Sequence, residues 1–172
     1  MQDQSLKRQL RVLTIPVFIE MALVMLLGAV DTVMLSRYSD NSVAAVGLDN
    51  QLISLVFLVY QFFSMGAAIL CAQYIGAGLR KRLVQVVGMA LVVNLMLGLT
   101  VSVLLFFYAG QLLQLMGLRP ELMGDGLAYL RLTGALSFFQ ALSLTFSASL
   151  RSADKVVYPM VVTGIVNVLN IL

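Results

Sequence analysis

The chain has 172 residues and a net charge of +3; 60% of its residues are apolar, 11% are charged, and its mean hydropathy is +0.97. Soluble domains contain about 45–50% apolar and about 25% charged residues, so this composition excludes a water-soluble globular domain and a disordered chain. A single cysteine and the absence of histidine exclude a disulfide scaffold and a Cys/His zinc site. We therefore predict an all-α integral membrane protein, built as a helical bundle.

Five apolar segments are candidates for membrane spans, because about 17–25 consecutive apolar residues are typical of a transmembrane helix. They are residues 12–36, 52–75, 84–108, 127–150 and 156–172. The first is too long for a signal peptide and contains two carboxylates. The fifth is still apolar at Leu172, so we expect a chain that stops inside a larger bundle. A natural five-span protein is the alternative.

Lysine and arginine lie mostly on one side of these spans. That side receives Lys7, Arg8, Arg11, Arg80, Lys81, Arg82, Arg151 and Lys155, whereas the other receives Arg37 and Arg119. By the positive-inside rule, we expect a multi-pass protein of the plasma (inner) membrane with a cytoplasmic N-terminus. Its partner is the lipid bilayer and not nucleic acid, since no soluble basic face is predicted.

Two carboxylates, Glu20 and Asp31, lie well inside the first span, where each charge costs about 2.5–3.5 kcal/mol. Eleven residues of helix place them on one face, about 16 Å apart along the axis. We expect no Lys or Arg at matching depth, with Arg131 extending to the headgroups or towards Asp31. Each carboxylate is therefore a candidate to bind a proton, Na⁺ or a cationic ligand. An interfacial Asp31 held by backbone or hydroxyl donors is the structural alternative, and both interpretations of Glu20 remain open.

Pro16 and the amides of the spans complete the candidate residues. Pro16 either forms a hinge in the first helix or occupies its first turn. Amides in spans most often hydrogen-bond between helices, but together with Asp31 they can line a hydrated cavity. They are Gln61, Gln73, Asn94, Gln140, Asn167 and Asn170. No pattern indicates a nucleotide-binding loop, a nucleophile elbow or a metal cluster, so we expect neither enzymatic catalysis nor a resident metal or cofactor.

Four segments together carry a family resemblance. They are IPVFIE (15–20), VDTVMLSRYSDNSVAAVGLDNQ (30–51), AQYIGAG (72–78) and LRSADKVVYP (150–159). In this order they resemble the N-terminal part of a multidrug and toxic compound extrusion (MATE) transporter, over essentially the whole chain. The resemblance implies twelve spans in two six-helix lobes around a central cavity. Residues 1–172 would form an incomplete N-lobe, without its sixth helix and without the C-terminal lobe.

The resemblance also implies a site and an activity. The first-helix cation-binding Asp of the family matches Asp31, and its fifth-helix Asn matches Asn170, with Asn167 as a further candidate. Such transporters export organic cations in exchange for H⁺ or Na⁺, which is the only cofactor implied, and we expect the truncated chain to be inactive. The alternatives are a flippase for lipid-linked precursors, which would need Arg or Lys inside the cavity, and a non-transporting membrane fragment.

Overall fold

The computed structural model describes residues 2–37 and 40–171, and every regular element in these two ranges is helical. The α-helices are α1 (Gln2–Ser36), α2 (Asp40–Gly76), α3 (Arg80–Leu115), α4 (Met123–Ala135), α5 (Ser137–Ser152) and α6 (Val157–Ile171), with a 3₁₀ turn at Pro120–Leu122. Leu172, the last residue of the fifth predicted span, lies outside the described residues. The predicted all-α bundle is confirmed.

Three helices are long and apolar enough to cross a membrane, or four if a bent pair forms one span. The three are Leu10–Ser36, Val43–Gly76 and Arg80–Leu115. The bent pair is Pro120–Ala135 with Ser137–Ser152, which meet at 44°. The fourth predicted span therefore contains a break at Leu136. The fifth corresponds to α6, whose apolar part, Val157–Asn170, is shorter.

The helices form two groups. α2, α3, α4 and α5 pack against one another, whereas α1 packs mainly on α6. An apolar cluster fills the end of the first group where α1 ends and α2 begins, called the α1–α2 end below. Its buried members are Ala45, Ile53, Ala109, Leu113, Leu118, Leu122 and Leu130. Contacts among these side chains fix how α2, α3 and α4 pack together at that end.

The opposite end carries the basic turns. Gly78, at φ +70°, ends the α2–α3 turn, and Leu79 N–H donates to the carbonyl of Tyr74 at 2.9 Å, as in a Schellman-type helix end. Ser152 Oγ donates to the carbonyl of Ala68 at 3.0 Å, which fixes the last turn of α5 beside the last part of α2. The α2–α3 and α5–α6 turns therefore lie at one end of the bundle, called the α2–α3 end.

Two buried polar clusters join the helices of the first group. Asn94 Nδ2 donates to Thr145 Oγ1 at 2.7 Å, which links α3 to α5. Ser102 Oγ lies 3.0 Å from Ser137 Oγ and accepts from Phe138 N–H at 3.2 Å. The second cluster satisfies a backbone donor at the Leu136 break, which explains how an interruption is tolerated there. For Asn94, the expected role of an amide between helices agrees with the geometry.

Close approach of α3 to α5 requires Gly98. A Cβ at this position would lie 2.9 Å from the backbone Cα of Phe138. Because the nearest atom belongs to the backbone and not to the end of a flexible side chain, we expect Gly98→Ala to lower the free energy of unfolding by about 1–3 kcal/mol. Gly88 of the same helix is the matched control, since its Cβ would meet nothing within 4 Å. Thermal unfolding in detergent compares the two variants, and equal midpoints would contradict this packing.

Candidate functional site

Asp31 and Asn170 meet where α1 packs on α6, near the α1–α2 end. Asn170 Nδ2 donates to Asp31 Oδ1 at 2.9 Å. Asp31 is exposed and Asn170 is half-buried. Thr32, the neighbour of Asp31, instead donates its hydroxyl to the carbonyl of Gly28 at 2.8 Å. Asp31 thus accepts a hydrogen bond from an amide of another helix, which differs from the backbone or hydroxyl donors of the structural alternative.

Asn167 lies one turn before Asn170 in α6 and is almost fully buried, at 4% exposure. Its Nδ2 donates to the carbonyl of Thr163 in its own helix at 2.9 Å. The Oδ1 atoms of Asn167 and Asn170 are both buried and have no hydrogen-bond partner within the described ranges. Residues three apart lie on the same side of a helix, so α6 carries two unpaired amide oxygens beside the helix that bears Asp31.

The donor set of this site is made of oxygen. A carboxylate with neighbouring amide oxygens suits a hard cation, and the carboxylate alone can bind a proton or pair with an organic cation. Unpaired buried acceptors cost free energy, so a bound cation or N–H donor would stabilise this arrangement. The three residues of the resemblance are thus brought to one helix interface, with Asp31 and Asn170 in direct contact.

Glu20 has a different environment, near the α2–α3 end. It is 8% exposed, and its Oε2 lies 3.4 Å from Nη1 of Arg151 in the last turn of α5. The expectation that no cation reaches its depth is therefore wrong. Arg151 is long enough to extend from a helix end into the bundle, and its side chain remains one-third exposed. This ion pair connects α1 to the other helix group and gives the carboxylate of Glu20 a cationic partner.

We expect Arg151→Gln to lower the thermal stability of the chain, because it leaves the carboxylate of Glu20 buried without a partner. The partial exposure of Arg151 reduces the effect, so a coupling energy of about 1 kcal/mol is expected between the two positions. A double-mutant cycle with Glu20→Gln measures this coupling by thermal unfolding. Additive effects of the two substitutions would show that the ion pair contributes nothing.

Pro16 lies inside α1 and not in its first turn, since the helix begins at Gln2. The first-turn alternative is therefore wrong. Proline lacks an N–H, so the carbonyl of Val12 loses its helix hydrogen bond, about two turns before Glu20. Arg131, for which contact with Asp31 was one expectation, places its guanidinium 5.8 Å from the ring centre of Phe106. That position lies within the range of a cation–π contact.

Asp49 is a candidate that the sequence reasoning missed. It has no exposed surface, and neither of its carboxylate oxygens has a hydrogen-bond partner within residues 2–37 and 40–171. The predicted second span began at Leu52 and so left Asp49 outside the membrane. The apolar run of α2 begins at Val43. A hydropathy window that started there would have revealed a third carboxylate inside a span.

Comparison with known proteins identifies relatives of this chain. The MatE family model matches residues 16–172. The chain is 43% identical over 159 residues to the uncharacterized transporter YisQ of Bacillus subtilis, which covers 92% of this chain and 35% of that protein. It is 33% identical over 169 residues to the probable multidrug resistance protein NorM of Thermotoga maritima, covering 97% of this chain and 36% of that protein. The chain thus spans about a third of the length of these relatives.

Solved structures share the fold. A MOP superfamily transporter from Pyrococcus furiosus superposes with a TM-score of 0.85 at 24% identity, covering 95% of this chain and 37% of that chain. A multidrug resistance MATE family transporter in an outward-facing conformation gives the same values. At this identity the likeness concerns the fold alone, and it agrees with the arrangement of α1–α6 described above.

Proposed function

Since this chain belongs to the MatE family, we propose that it forms most of the N-terminal lobe of a membrane antiporter that exports organic cations in exchange for H⁺ or Na⁺. The relatives named above include transporters and a multidrug resistance protein. The protein that joins this lobe to a C-terminal lobe is called the complete transporter below. Residues 1–172 supply one wall of its central cavity, and no catalytic residue is assigned.

The contact between Asp31 and Asn170 supports this proposal. The hydrogen bond joins α1 to α6 at 2.9 Å, next to the unpaired amide oxygens of Asn167 and Asn170. A carboxylate within an apolar helix is costly, and it persists where it serves binding. The same helix interface therefore offers one negative charge and neutral oxygen ligands, which together suit the coupling ion.

Exchange follows if the coupling ion and the cargo compete for Asp31. A carboxylate that has bound H⁺ or Na⁺ attracts an organic cation less strongly, because its negative charge is neutralised. Entry of the coupling ion then favours release of the cargo, and the reverse step reloads the site. Asn170 and Asn167 complete the ligand set for the coupling ion. Alternating access of Asp31 to the two sides requires movement of one lobe against the other.

The experiment that tests this function is gradient-driven efflux. The complete transporter is reconstituted into vesicles loaded with ethidium, and a pH gradient or a Na⁺ gradient is imposed separately. We expect one of the two gradients to accelerate ethidium release, and an ionophore that collapses this gradient to abolish the acceleration. Release that is indifferent to both gradients would contradict antiport. Movement of a lipid-linked diphosphate instead of ethidium would favour the flippase alternative.

Orientation in the membrane is the second part of the proposal. The basic residues of the α2–α3 and α5–α6 turns support a cytoplasmic α2–α3 end. In a Cys71→Ser background, we expect Glu121→Cys to react with an impermeant maleimide from outside intact cells and Lys81→Cys to react only after permeabilisation. Both positions are exposed. Reaction of Lys81→Cys in intact cells would reverse the proposed orientation.

A further inference from the structure

Asp49 lies in the apolar cluster of the α1–α2 end. It follows Ala45 by one turn of α2 and precedes Ile53 by one turn, and both of these residues belong to the buried cluster. The carboxylate has no exposed surface, and no described donor contacts either oxygen. Its burial arises from this lobe alone, so a second lobe is not needed to remove it from water.

The elements packed around this part of α2 present few polar groups to Asp49. α3 and the 3₁₀ turn contribute apolar side chains, such as Leu113 and Leu122. α5 meets α2 further along, where Ser137 contacts Tyr60. The Arg131 guanidinium of α4 lies over Phe106.

Tyr129 of α4 is the titratable group near Asp49, and it links Asp49 to Asp31 of α1. The phenol of Tyr129 is within electrostatic range of the carboxylates of both Asp31 and Asp49. Its hydroxyl donates to Asn50 Oδ1 at 3.4 Å, so this donor is directed to the neighbour of Asp49 and not to Asp49 itself. Tyr129 therefore stands close to both acidic residues without neutralising Asp49.

These surroundings favour a proton over any other ligand of Asp49. An ionised carboxylate without a partner in an apolar interior is costly enough that the group is expected to become neutral instead. A metal cation would need several oxygen ligands, whereas the side chains packed around Asp49 are apolar apart from Tyr129, whose hydroxyl is directed to Asn50. A protonated carboxyl needs one hydrogen-bond acceptor, and the backbone carbonyl of Ala45, four residues earlier, is a suitable one. The hydroxyls of Thr32 and Thr100 donate to the carbonyl four residues earlier in the same way.

We propose that Asp49 is a second proton-binding site of the lobe, buried in the apolar cluster of the α1–α2 end and electrostatically coupled to Asp31, since Tyr129 is within range of both carboxylates. The proton comes from water at the α1–α2 end, binds one carboxylate oxygen to give the neutral acid, and returns to water when the acid ionises. The site itself rests on the burial of Asp49, and its coupling to exchange rests on the function proposed above. A cation held at Asp31 eases ionisation of Asp49, whereas a free Asp31 carboxylate opposes it.

Infrared spectroscopy of the purified complete transporter tests the site without a transport assay. At neutral pH we expect a carbonyl band of a protonated carboxylic acid, which shifts in D₂O. Asp49→Asn should remove this band, and Asp49→Glu should move it while keeping it. Glu121→Gln, which removes an exposed carboxylate from the 3₁₀ turn, is the matched control and should leave the band unchanged. Identical spectra of the wild type and Asp49→Asn would overturn the proton site.

The coupling is tested by raising the pH until the band of Asp49 disappears. Asp31→Asn removes the nearby negative charge, so we expect the band to disappear at lower pH than in the wild type. An unchanged pH of disappearance would overturn the coupling. Failure of ethidium exchange together with a band that depends on Asp49 would refute the antiport function and retain the proton site, so the two proposals fail separately.

Discussion

Asp31→Asn is expected to abolish gradient-driven ethidium exchange by the complete transporter while leaving the protein folded in the membrane. Asparagine keeps the size of aspartate and its ability to hydrogen-bond with Asn170, but it removes the negative charge for which the coupling ion and the cargo compete. Insertion should become easier, because a charged carboxylate within the membrane costs about 2.5–3.5 kcal/mol. Efflux from vesicles at matched protein content, under the gradient that drives the wild type, measures the effect.

Glu20→Gln is the control for Asp31→Asn, since it removes a carboxylate from the same helix about 16 Å away. Its effect on exchange should be much smaller, because Glu20 is already paired with Arg151. Wild-type rates from Asp31→Asn would refute the assignment of the coupling site. Loss of exchange in Glu20→Gln alone would move that site to the α2–α3 end of α1.

The pairing of Asp31 with Asn170 shows what sequence can and cannot provide. Hydropathy identifies the apolar helices, and helical geometry places Asp31 in the second half of α1, near its C-terminal end. Neither indicates which helices pack together, because residues 139 positions apart are brought into contact only by the tertiary fold. The expectation that Asn170 serves the same site came from the family resemblance. No periodicity in the sequence predicts the hydrogen bond between Asp31 and Asn170.

The ion pair between Glu20 and Arg151 shows why sequence misjudges how deep an arginine side chain reaches into the bundle. Counting residues from a span boundary places the Cα of an arginine, but its guanidinium lies several ångströms further along a flexible stem. Arg151 belongs to the last turn of α5 and reaches a carboxylate on α1. Arg151 is also one of the eight basic residues from which the cytoplasmic side of the protein is predicted. One arginine can thus mark a membrane face and also neutralise a charge inside the bundle.

Asp49 and the break at Leu136 were missed for a common reason. Hydropathy averages over a window, so a polar start to a helix is assigned to a loop and a short interruption within an apolar run disappears. α2 extends back to Asp40 and carries Asp49 into the core. No proline lies at the Leu136 break, so the local sequence does not indicate it. It is instead satisfied by Ser102 from α3, a tertiary contact that local sequence does not record.

Asn170→Ala is expected to slow exchange about 10- to 100-fold. A hydrogen bond to a charged group contributes about 1.5–3 kcal/mol, and each 1.4 kcal/mol corresponds to about a factor of ten. Asn167→Ala is the matched control and should cost less, since its amide donates to Thr163 of its own helix and not to Asp31. Equal losses in the two variants, measured as efflux from vesicles, would contradict a special role for Asn170.

The ion dependence of exchange by the Asn170→Ala variant also identifies the coupling ion. If Na⁺ is the coupling ion, the amide oxygen is one of its ligands, so the variant should need more Na⁺ for half-maximal exchange. If H⁺ is the coupling ion, the amide oxygen binds no ion, and the variant loses only the hydrogen bond from the amide of Asn170 to Asp31. Exchange should then be slower at every Na⁺ concentration and retain its independence of Na⁺. Titration of the efflux rate with Na⁺ and with pH, in the variant and the wild type, separates the two.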